Sequence, residues 1–143
     1  MSSARLANVA PILITPDLGR TAAYYRDVLG FKVVEHGDAP EPFAAIYRDS
    51  VEIILVEARH GEFVPNRVRY GAGFDVYIDP DTVAGVNELY AEVTARGACI
   101  HTEPGPTPYG SYEFVVEDID GRLIGIGRIR DRKTFFGGAL DGP

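Results

Sequence analysis

One order of elements is written twice along this chain, and few folds accept that. In the first copy an apolar run, residues 9–14, ends at Thr15, Pro16 and Asp17. The Asp17 carboxylate can accept a free backbone N–H, which suits the start of a helix. Leu18, Ala22, Tyr25 and Leu29 follow at helical spacing, with Val28 beside them. Gly30 supplies the left-handed residue that closes a helix. Strands are predicted over 31–35, 43–48 and 51–57. Between them lie a loop (His36, Gly37, Asp38, Pro40, Pro42) and a tight turn at Asp49-Ser50.

The second copy repeats the grammar. A strand is predicted over 74–78, and Asp79, Pro80 and Asp81 break it, with Pro80 suited to the first turn of a helix. Val83, Val86, Leu89 or Tyr90, and Val93 give the helical stripe, and Gly97 closes it. Strands are predicted over 98–102, 112–117 and 122–128, with a loop over 103–110 and a turn at 118–121. The repeat of about 70 residues is too long for a solenoid. It predicts an α+β fold of two small sheets, each with one helix on its convex face and a concave face left for a ligand. Residues 58–72 fit neither copy and read as a linker.

The bulk numbers exclude several classes. A chain of 143 residues is one ordinary domain in length. With 14 Lys and Arg against 21 Asp and Glu its net charge is −7, which argues against nucleic acid. No apolar run approaches the roughly 20 residues of a membrane helix. The start, Arg5 and then 6–14 with Asn8 and Pro11 interrupting, reads as a strand and not a signal peptide, so a cytoplasmic location is expected. A single cysteine, Cys99, excludes an internal disulfide, and its apolar neighbours Ala98 and Ile100 predict a buried thiol.

Two stretches carry a family resemblance. Residues 17–31 (Asp-Leu-Gly-Arg-Thr-Ala-Ala-Tyr-Tyr-Arg-Asp-Val-Leu-Gly-Phe) open the first copy. Pro108-Tyr109-Gly110-Ser111-Tyr112-Glu113-Phe114 and Asp118-Ile119-Asp120-Gly121-Arg122-Leu123-Ile124-Gly125 close the second. Over about 8–128 the chain resembles the glyoxalase/bleomycin-resistance/dioxygenase (vicinal oxygen chelate) superfamily, above all its metal-free bleomycin-resistance-like members. The resemblance implies a single domain of two paired βαβββ modules (about 8–57 and 73–128) forming a curved mixed sheet with helices on the convex face, and a homodimer. The tail, 129–143, is an extension in which Phe135 and Phe136 are candidates for docking.

Metal-dependent members place side-chain ligands in the first and last strand of each module. Counting along the motifs brings those positions to Ala10, Ile54, Gly125 and a residue within 71–74, and none offers a donor. His36, His60 and His101 fall in or next to loops and read as surface residues. No metal and no cofactor is therefore expected. The resemblance places Tyr47, Phe74, Tyr109, Tyr112 and Phe114 around the concave face. Glu52 and Glu113 join them as candidate ligand-binding residues, and Glu52, Glu113 and Glu117 are the carboxylates available for acid–base work. By alternation Tyr112 and Phe114 share one side of their strand, Glu113 and Glu117 the other. The expected function is binding or sequestration of a small aromatic ligand, cationic or neutral. The alternative is a lyase or isomerase of the same superfamily with a displaced or absent metal site.

Overall fold

The protein is described by a computed structural model covering residues 2–140. These residues fall into two compact units, one ending at Phe63 and the other beginning at Val64. Each is built on a four-stranded mixed sheet with antiparallel and parallel pairs.

The first unit runs β1 (Ile12–Thr15), α1 (Leu18–Asp27), β2 (Lys32–His36), β3 (Phe43–Arg48) and β4 (Val51–Glu57). The strand order is β1-β4-β3-β2, with β1 parallel to β4. Pairing in β1 starts three residues later than the apolar run predicts, since Pro11 has no N–H to give a ladder. Asp17 caps α1 by accepting the Arg20 N–H, as the sequence predicts. The Glu57 carboxylate accepts a second orphan donor, Leu18 N–H, at 3.0 Å. Leu13, Ala44, Ile46, Ile53 and Leu55 are buried together with Ala22, Tyr25 and Leu29 of the α1 region. Each Leu or Ile among them contributes about 1.5–3 kcal/mol on leaving water.

The second unit runs α2 (Asn66–Tyr70), β5 (Val76–Ile78), α3 (Val83–Ala95), β6 (Cys99–Pro106), β7 (Ser111–Glu117) and β8 (Leu123–Ile129). It ends with α4 (Arg132–Phe136) and a short 3-10 turn, Gly137–Leu140. Residues 141–143 of the tail lie outside the described residues. The sheet order β5-β8-β7-β6 repeats that of the first. Val86, Tyr90 and Val93 of α3 cover Phe114, Val116 and Ile124.

The two small sheets expected from the duplication are present, four strands in each. The stretch expected to link the two modules contains a helix, α2. Several element boundaries differ from expectation. Thr82, not Pro80, sets the start of α3, its hydroxyl accepting the Gly85 N–H. β6 reaches Pro106, four residues into the predicted loop, by absorbing two register shifts against β7. β5 begins at Val76 and is preceded by Asp75, whose N–H donates to Leu123 O of β8. The Asp75 carboxylate accepts Asn66 N–H and Leu123 N–H, tying α2 and β8 to the start of the strand. Cys99 is exposed, not buried, because β6 is the outer strand of its sheet.

Candidate functional site

Register decides which side chains of the second sheet share a face. Tyr77 on β5 pairs with Gly125 on β8, and Gly127 pairs with Glu113 on β7. Partners across a ladder point the same way, so Tyr77, Ser111 and Glu113 project from the face turned away from α3. Gly125 and Gly127 leave that face of β8 bare. A Cβ on Gly125 would stand 2.6 Å from the Tyr77 ring. The ring therefore lies across β8 and carries its hydroxyl to β7.

There it donates to Glu113 Oε1 at 2.9 Å. The Tyr109 hydroxyl donates to the same oxygen at 2.6 Å. Tyr77 has one proton, and with Glu113 ionised that proton faces the carboxylate. The Ser111 hydroxyl, 2.7 Å from the Tyr77 oxygen, is then the donor of that pair. Ser111 is fully buried and Glu113 only 5 % exposed. Phe74 lies beside Tyr77 with ring centroids 5.5 Å apart.

Tyr109 reaches Glu113 from the β6–β7 connection. Gly110 N–H closes a four-residue turn on Thr107 O, with Pro108 and Gly110 in the second and fourth positions that such turns favour. Thr107 and Ser111 exchange backbone and hydroxyl hydrogen bonds that lock its base.

Burial first, then the hydrogen bond to Glu113 and its charge, push the Tyr109 phenol up to about 12. The residue as a whole is 47 % exposed, but its hydroxyl end turns onto the carboxylate. Tyr77 is raised above the ordinary phenol value, chiefly by burial, with Glu113 adding to it. Both phenols thus stay protonated donors at neutral pH.

The expected site residues divide into three places. Phe74, Tyr109 and Glu113 come together as described. Tyr112 and Phe114 project from the other face of β7: Phe114 is buried edge-on against Tyr90, and the Tyr112 hydroxyl donates to Asn87 of α3. Tyr47 and Glu52 face each other across β3 and β4 in the first unit. A hydrogen bond to Glu52 raises the Tyr47 phenol, and Asn8 donates to the same carboxylate at 3.2 Å. Glu117 accepts an ion pair from Arg67. Sequence reasoning missed Tyr77 and Ser111. The signal was Gly125 and Gly127 alternating on a strand, which leaves a bare strip that a neighbouring ring must cover.

At the last-strand positions where metal-dependent members would carry ligands, Ile54 pairs with Ile12 across β4 and β1, and Gly125 pairs with Tyr77 across β8 and β5. A ligating side chain at Gly125 would collide with the Tyr77 ring, and the Tyr77 oxygen is already engaged. Among the described residues no three His, Cys, Asp or Glu side chains meet in a group that could hold a metal ion. The residues at these positions do not fit a divalent cation.

Known proteins agree with this architecture. The chain is similar to a glyoxalase/bleomycin resistance protein/dioxygenase from Nocardioides, with 18 % identity over 88 % of this chain and 85 % of that one, and a TM-score of 0.63. It is similar to a member of the same superfamily from Sphaerobacter thermophilus, with 19 % identity, coverage of 85 % and 97 %, and a TM-score of 0.65. An integron cassette protein from V. cholerae aligns with 25 % identity, coverage of 87 % and 96 %, and a TM-score of 0.59. No curated protein matches the chain. A family model matches residues 5–126, and with the two βαβββ sheets in hand the chain belongs to the Glyoxalase/Bleomycin resistance protein/Dioxygenase superfamily.

Proposed function

We propose that the protein binds a small aromatic cation without a metal, at the Glu113 face of the β5-β8-β7-β6 sheet. One observation carries this reading: a carboxylate that is 5 % exposed has two phenol donors and, among the described residues, no Lys or Arg partner. A buried charge is costly unless it is paired. Two neutral donors offset part of that cost, and a cationic ligand supplies the rest. The net charge of −7 adds long-range attraction for a cation. Phe74, Tyr77 and Tyr109 provide ring surface for an aromatic body and for a cation above it.

Calorimetric titration with naphthylmethyl-dimethylamine and with naphthylmethanol tests this. The amine binds and the alcohol binds at least about tenfold more weakly, the worth of one charge-assisted hydrogen bond. Glu113→Gln keeps an acceptor for both tyrosines and abolishes the difference. Equal affinity for the two probes, or no binding of the amine, sinks the reading.

We also propose the homodimer that is usual in the superfamily. Ile12, Ile14, Val34 and Tyr47, exposed on the face of the first sheet turned away from α1, support it. A single monomeric boundary in sedimentation velocity at micromolar concentration argues against it.

A further inference from the structure

We infer that this site takes amines that present a single N–H donor, protonated tertiary amines in particular, and refuses amidines and guanidines. The inference rests on the binding reading above and names its ligand class.

A carboxylate has about four lone-pair positions, two on each oxygen. Both positions on Glu113 Oε1 are taken, by Tyr77 at 2.9 Å and Tyr109 at 2.6 Å. Neither donor is free to swing away. Tyr77 is held from behind by Ser111 at 2.7 Å and lies over Gly125 and Gly127. Tyr109 sits on the Thr107–Gly110 turn, whose base is tied to Ser111 three ways. Glu113 Oε2 has no hydrogen-bond partner among the described residues. An amidinium or guanidinium gains its advantage from two parallel N–H bonds, one to each carboxylate oxygen. Here the second oxygen is saturated, so one arm of the fork would face an acceptor with nothing to give. That arm would also lose its water on entering a site where Glu113 itself is nearly buried. A tertiary ammonium has one N–H, which Oε2 accepts, and its alkyl groups lie against Phe74 and Tyr77 without an unmet donor.

The test compares naphthylmethyl-dimethylamine, naphthamidine and naphthylmethanol on the intact protein by calorimetry. The expected result is an amine at least about tenfold tighter than the amidine, one unmet donor being worth at least ~1.4 kcal/mol. Tyr109→Phe empties one position on Oε1, so amidine affinity rises and the preference shrinks toward unity. Tyr77→Phe does the same from the other side, which keeps the test alive if one variant fails to fold. An amidine that binds the parent protein as tightly as the amine overturns the inference and leaves the cation reading standing. A preference unchanged in both variants overturns it as well. If neither charged probe exceeds naphthylmethanol, the binding reading falls and takes this inference with it.

Discussion

The Tyr77 hydroxyl occupies the space a side chain on Gly127 would need: a Cβ there would stand 2.5 Å from it. The same Cβ would meet the Tyr112 carbonyl oxygen at 2.9 Å and press on the Glu113 Cβ. Backbone and Cβ atoms cannot rotate aside. Gly127→Ala is therefore expected to destabilise the protein by about 1–3 kcal/mol, the usual cost of overpacking. It should also weaken amine binding by dislodging Tyr77. Urea denaturation measures the first effect, and a loss below about 0.5 kcal/mol would show that the strip has slack.

The tyrosine titration gives a second expectation. Unperturbed phenols ionise near pH 10. Tyr109 should ionise at about 12, and Tyr77 later than an ordinary phenol. Both values are raised in the folded state, so the folded chain holds protons that the unfolded chain has released. The stability this contributes is complete below about pH 10 and is lost as pH rises through the folded values. Phenolate absorbance in Tyr109→Phe should lack one late-ionising group. A titration curve identical to that of the parent protein contradicts the geometry.

A third concerns the β7–β8 turn. The Arg122 guanidinium is buried and pairs with Asp118 at 3.0 Å and Asp120 at 2.9 Å. Asp118 also accepts the Asp120 and Arg122 backbone N–H groups. Arg122→Ala strands two carboxylates away from water and should cost about 3–5 kcal/mol. Denaturation that shows less than about 1 kcal/mol would mean that water reaches the cluster.

Cys99 offers the simplest check of register. It pairs with Glu117 at the start of the outer strand β6 and is exposed. Under native conditions it should react stoichiometrically with a thiol reagent, without prior unfolding. Protection until the protein unfolds would place the thiol inward and shift β6 by one residue.

Much of the fold was legible in the residues themselves. The spacing of Leu18, Ala22 and Tyr25, the cap at Asp17, the glycines at 30 and 97, and the alternation in β3 and β4 are local signals, and each element they predict is present. Ends were less legible. Pro11 and Asp75 stand just before strand starts and make hydrogen bonds that only a neighbouring strand or helix reveals.

The chain by itself determined the duplication, the place of each helix and the absence of side-chain donors at Ile54 and Gly125. It also determined that Glu113 and Phe114 point opposite ways, because a strand alternates whatever it pairs with. Only the tertiary structure decided that Tyr77, 36 residues from Glu113 along the chain, faces Gly125 and reaches that carboxylate. Which residue stands opposite which across a parallel pair depends on the register of two distant segments. No local periodicity encodes that choice, and a shift of one residue would turn Tyr77 to the helix side and leave Glu113 without it.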